Sequence, residues 1–122
     1  KVSCGSDATV VASVDHRHIS AVNNSNTFTS RSITINLRFY DAGNSLIDSY
    51  EIDSWTASLG YDDGSWTTSS GTTRSPAGTA SVALQVNYSI NAVHANGWNT
   101  VERVDNFSIN IPAGGPQVIW WL

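Results

Sequence analysis

Apolar and polar positions alternate strictly along residues 80–90. Ala80, Val82, Leu84, Val86, Tyr88 and Ile90 take one parity, and Ser81, Ala83, Gln85, Asn87 and Ser89 the other. Because successive side chains of a strand point to opposite faces, this period of two predicts one long strand with an apolar face inward and a small polar face outward. Residues 32–40 repeat the pattern, with Ile33, Ile35, Leu37 and Phe39 against Thr34, Asn36, Arg38 and Tyr40. The tetrad Asp41, Ala42, Gly43 and Asn44 supplies turn chemistry, so residues 46–52 are expected to return as the second arm of a hairpin. Near the start, Val10, Ala12 and Val14 share a parity that runs on into His16 and His18, while Ser13, Asp15 and Arg17 take the other. Residues 100–111 form a further strand with Val101, Phe107, Ile109 and Ile111 on one parity. Arg103 and Asp105 fall on that same parity, which places the first half of this strand at an edge or beside a polar site.

Between these runs the alternation fades. Residues 22–30 are rich in Asn, Ser and Thr and read as a loop. Residues 53–75 hold Trp55, Tyr61, the Asp62-Asp63-Gly64 triplet, Trp66 and a hydroxyl-rich run. A stretch that long without a clear period is uncommon in a compact domain unless it serves a function. Several strands divided by Gly, Pro and Asn turns, with no heptad, repeat or amphipathic helix, predict an all-β fold, an antiparallel β-sandwich of the jelly-roll kind, as a single domain over residues 1–122.

Composition narrows the partners. The chain has 122 residues, enough to bury a core without staples, and only 13% are charged. Ser, Thr and Asn make the surface one of hydroxyls and amides. A formal net charge of -4 and a single lysine leave no basic patch for phosphates, so nucleic acid is not an expected partner. No run approaches the roughly 18 apolar residues of a membrane-spanning helix. Cys4 is the single cysteine, which rules out a disulfide within the chain. It reads as an incidental thiol near a terminus, or as a point of pairing with another chain. The chain opens on Lys1 and contains no Met, as a trimmed, secreted product would, and the expected location is extracellular.

The order of Leu37-Arg38-Phe39-Tyr40-Asp41-Ala42-Gly43-Asn44, then Ser65-Trp66, then Ser75-Pro76-Ala77-Gly78-Thr79, then Val104-Asp105-Asn106-Phe107-Ser108-Ile109 resembles the galactose-binding-like jelly rolls that serve as carbohydrate-binding modules on secreted bacterial glycosidases. The resemblance covers about residues 33–111. It implies a structural calcium with Asp105 among the ligands, oxygen donors being what that ion takes. The Asn-Gly-Phe-Glu-like opening that usually helps hold the ion does not occur before residue 30. In its absence Asp105 would instead pair with Arg103 or Arg17.

Three chemistries compete for the function. Trp55, Tyr61, Trp66 and Trp98 fall in loops or at strand ends, where an aromatic ring can lie against the apolar face of a sugar. Neighbouring polar groups such as Asp62 would supply directional hydrogen bonds. This predicts a secreted, non-catalytic lectin or carbohydrate-binding module for an oligo- or polysaccharide. A second reading is a self-assembling subunit of a pilus, filament or capsid, in which the tail Val118, Ile119, Trp120, Trp121 and Leu122 or the thiol of Cys4 joins a second copy. A third is a metal-dependent enzyme. His16 and His18 would project from one face of a strand and could hold zinc or copper if His94, Asp15 or Cys4 completed the set. Nucleophile-elbow and phosphate-cradling glycine motifs are absent, and nothing positions a carboxylate pair, so a non-enzyme is expected.

Overall fold

The computed structural model describes the backbone at residues 1–23, 28–57, 65–92 and 98–112, and the side chains at 1–17, 32–56, 65–89 and 103–112. The described residues form seven strands: β1 (Val2–Ser3), β2 (Thr9–Asn23), β3 (Phe28–Tyr40), β4 (Leu46–Ala57), β5 (Thr67–Arg74), β6 (Ser81–Ala92) and β7 (Trp98–Asn110). They build two antiparallel sheets, one four-stranded in the order β1-β6-β3-β4 and one three-stranded in the order β5-β2-β7. The expected all-β antiparallel sandwich is therefore observed. Among the described strands, only β3 and β4 form a hairpin. Each of the other connections between consecutive strands passes from one sheet to the other, which knits the two layers together.

The alternation seen in the sequence sets the burial. Ile33, Ile35, Leu37 and Phe39 of β3 and Val10, Ala12 and Val14 of β2 point between the sheets and are almost wholly buried, as is Val82 of β6. Across the β3–β6 ladder, Ile33 faces Tyr88, Ile35 faces Val86, Leu37 faces Leu84 and Phe39 faces Val82. Each inward position thus meets an inward position, the register that a one-residue slip would destroy. Cys4 belongs to this core. It is buried among Val10, Ala12, Leu37, Phe39 and Val82, and its backbone N–H donates to the Ala80 carbonyl at 3.0 Å. The thiol read as incidental is a packing side chain, and pairing with another chain would require opening the core.

Strands extend further than their side chains announce. β2 and β3 enter the Asn- and Ser-rich stretch read as a loop, because Val22 and Asn23 pair with Asn99 and Trp98, and Phe28 with Ala92. β5, built of Thr, Ser and Gly, pairs along its whole length with β2, from Thr9 opposite Arg74 to His16 opposite Thr67. Backbone N–H and C=O groups make the ladder whatever the side chains are.

Two irregularities re-aim side chains. Ile35 lies opposite Asp53, but Asn36 lies opposite Glu51, so Ile52 is an extra residue in β4. This bulge turns both Ile52 and Asp53 toward the other sheet. Ile52 packs over Gly71 of β5, where an added Cβ would stand 3.3 Å from two of its side-chain carbons. In β7 the register moves from Ser13 opposite Ser108 to Asp15 opposite Asp105, with Asn106 at φ 51° in the extra turn of chain. The parity of β7 reverses there. Arg103 and Asp105 therefore lie on the outer face of the sheet, opposite Arg17 and Asp15, rather than with Ile109 as the uninterrupted alternation suggests.

Candidate functional site

Two polar clusters flank β2, one on each face. Inside the sandwich, His16 continues the buried parity of Val10, Ala12 and Val14 and is only 3% exposed. Its Nε2 lies 2.9 Å from the hydroxyl of Ser69 on β5. Ser69 in turn donates its hydroxyl proton to Asp53 Oδ2 on β4 at 2.5 Å. A hydroxyl has one proton, so with that proton on the Asp53 bond, Ser69 Oγ accepts from His16, and Nε2 carries hydrogen. Trp55 stacks on the imidazole with ring centroids 5.9 Å apart at 21°. Asp53 and Trp55 reach this point because they face inward opposite Ile35 and Ile33.

The residue types are those of a hydrolase triad, but the order is not. A nucleophile needs its proton taken by the base, whereas here the serine proton points to the carboxylate and the imidazole donates to the oxygen. The arrangement ties three strands of two sheets together with buried polar contacts. It also assigns two of the expected site residues. His16 is committed to Ser69 and Trp55, and Asp15, on the opposite face of β2, does not join it. Cys4 packs with Val10, six residues back along the strand and about 20 Å away. Among the described residues no group of three or more His, Cys, Asp or Glu side chains is placed to hold a metal ion. The side chain of His18 and the whole of His94 lie outside the described residues.

The outer face of the same sheet carries the second cluster. Asp15 accepts hydrogen bonds from Thr68 at 2.5 Å and from the Asn106 side-chain amide at 2.7 Å. These two bonds, that from Asn106 foremost, hold its carboxyl below the ordinary 3.8. Thr68 arrives there through the β2–β5 register, and Asn106 through the bulge in β7. Asp105 sits opposite Asp15 and accepts the backbone N–H of Asn106 at 2.8 Å. Trp66 directly precedes β5 and is 47% exposed. Of the aromatics proposed as sugar platforms, Trp66 is open to solvent and Trp55 is half-buried with a ring face against His16. The side chains of Tyr61, Asp62 and Trp98 lie outside the described residues, as does the 118–122 tail.

The outer face of the larger sheet is an alternative surface. Ser81, Ala83, Gln85, Asn87 and Ser89 of β6 lie beside Tyr40, Arg38, Asn36, Thr34 and Ser32 of β3 in a flat polar array. Tyr40 on that face is covered by the Lys1 ammonium 3.5 Å from its ring centroid, with the Arg38 guanidinium 5.8 Å away. Trp66, immediately before β5, is therefore more open to solvent than Tyr40. Sequence reasoning passed over Asp15, Thr68 and Asn106 as partners. The parity of Asp15 was visible, but its neighbours depend on which strands pair and where β7 bulges. No family model, no curated protein and no solved structure matches the chain.

Proposed function

We propose that the chain is a non-catalytic carbohydrate-binding module whose ligand surface is the outer face of the β5-β2-β7 sheet. The observation that carries this reading is the exposed Trp66 immediately before β5, the strand whose Thr68 joins Asp15 and Asn106 in an ordered polar set on the outer face. A sugar presents an apolar C–H face and a rim of hydroxyls. An exposed indole matches the first, and an ionised carboxylate braced by an amide and a hydroxyl matches the second. Low charge and an antiparallel β-sandwich suit this reading, which retains the lectin class expected from the resemblance. A structural calcium at Asp105 is no part of the proposed surface.

The test is calorimetric titration of the whole chain with a broad panel of neutral and acidic oligosaccharides, repeated on Trp66→Ala. Binding that Trp66→Ala abolishes without lowering the melting temperature supports the reading. No heat of binding across the panel removes it. One observation favours a second reading, assembly between copies: β4 is an edge strand among the described residues, with Leu46, Ile47 and Tyr50 exposed along it. Exposed apolar edges pair with other strands. Sedimentation decides it, since a monomer over a wide concentration range excludes assembly through β4.

A further inference from the structure

The two sides of the sandwich are not alike. Where β4 faces β5, Ile52 packs over Gly71 and Ser69 bonds Asp53 across the layers, which closes that side. On the other side, β1 covers the free edge of β6 only at Ser81 and Val82, and no other described strand pairs along the rest of that edge. Burial along β6 falls accordingly. Its inward side chains pass from Val82, fully buried, through the half-buried Leu84 and Val86 to Tyr88 at 37% exposed, while their β3 neighbours Leu37, Ile35 and Ile33 stay buried throughout. On β7, Val104 lies opposite the buried His16, and Phe107 shares the inward parity of Ile109. Both are nevertheless open to solvent, at 37% and 55%. Apolar side chains of inward parity left open on two facing strands mark a surface that something covers.

We propose that, independently of what the outer face binds, the cover is the chain's own segment 117–122, laid along the β6 edge as a continuation of β1. These residues lie outside the described ones and read Gln-Val-Ile-Trp-Trp-Leu, five consecutive apolar side chains without a charge. The chain delivers them to the right place. Ile111, just past β7, and Leu84 of β6 pack against the same core cluster of Cys4, Val10 and Val82, so the segment sets out from the foot of the opening. The connecting residues 112–116, Pro-Ala-Gly-Gly-Pro, reach about 16 Å when extended, more than the ~10 Å between stacked sheets. Six residues of strand then span about 20 Å, the rise of β6 from Leu84 to Ser89. Because β7 ends where β6 begins, the segment runs in the same direction as β6, and a parallel pairing satisfies the N–H and C=O groups of that edge. Whichever parity faces inward, an indole does so, Trp120 or Trp121. A second copy could offer the same residues, but a short tether gives the chain's own segment a millimolar effective concentration.

The experiment follows amide hydrogen exchange of the full chain by NMR. An antiparallel strand paired on one side bonds only alternate amides, so a bare edge gives alternating slow and fast exchange over residues 84–89. The expected result is slow exchange at every one of these residues. In the full chain carrying Trp120→Ser and Trp121→Ser, the outward-directed amides should exchange at least about tenfold faster while those bonded to β3 keep their protection, which shows the variant folded. Alternating protection in the parent overturns the proposal whether or not the variant folds. Outward amides that stay slow in the folded variant overturn it too. Protection that fades on dilution of a dimer seen by sedimentation assigns the segment to a second copy and overturns docking within one chain.

Discussion

Replacing Ser69 with Ala isolates the buried relay between the sheets. The substitution removes one hydroxyl that donates to Asp53 at 2.5 Å and accepts from His16 at 2.9 Å. Ser69 is only 3% exposed, so water cannot take over both bonds without parting the strands. A hydrogen bond to a charged group contributes ~1.5–3 kcal/mol and one between neutral groups ~0.5–1.5 kcal/mol, so the loss should be ~2–4 kcal/mol. An unfolding entropy of ~2.1 cal/mol/K per residue over 122 residues converts this to a fall in melting temperature of roughly 8–16 °C. Urea unfolding followed by far-UV circular dichroism should show a lower midpoint and an unchanged slope, since the surface exposed on unfolding is the same. Ser70→Ala, one residue on and exposed on the outer face, is the control and should stay within about 0.5 kcal/mol of the parent. A double-mutant cycle with Asp53→Asn should give a coupling of about 1 kcal/mol or more, as expected for residues in one network. If Ser69→Ala shifts the midpoint no more than Ser70→Ala does, the relay contributes nothing and the reasoning fails.

Further outcomes follow from the packing. Gly71→Val crowds Ile52, which already stands 3.3 Å from the position of an added Cβ, and should cost ~1–3 kcal/mol; Ile52→Ala in the same chain should recover part of that loss, and purely additive losses would refute the close approach of β4 and β5. Asp15 has its folded value held below the ordinary 3.8 by Asn106 and Thr68, so its contribution is fully present above 3.8 and is lost as pH falls through the lower folded value. Melting temperature should accordingly drop on acidification below that pH, and Asp15→Asn should flatten part of the drop; an unchanged acid profile in the variant would contradict the assignment. The Cys4 thiol, 6% exposed in the core, should react with a thiol reagent far more slowly in native buffer than in denaturant. Equal rates would place it at the surface.

The alternation along β3 and β6 was sufficient to predict a sandwich, because period two is a local property and each apolar position meets its partner once the strands pair. Residues 80–90 and 32–40 announced their inward faces, and the observed register keeps Leu37 on Leu84 and Phe39 on Val82. The aromatics proposed as sugar platforms were also visible as residue types. Their fates were not. Trp55 and Trp66 look alike in the sequence, yet one stacks on His16 and the other faces solvent.

Tertiary structure decided everything that depends on which strand lies beside which. A hydroxyl-rich run became β5 because its backbone found β2, and Ser69 gained meaning from His16, 53 positions away. The two bulges mattered as much. One extra residue in β4 sends Asp53 inward, and the turn at Asn106 moves Arg103 and Asp105 from the apparent core parity to the outer face. Such a shift leaves no mark in the periodicity until pairing is known, since a bulge is a mismatch between two strands and not a property of either one. The sequence alone therefore determined the main apolar strands and their buried faces, while the make-up of the two sheets, the pairing of Asp15 with Asn106 and the placing of Arg17 opposite Arg103 came from register.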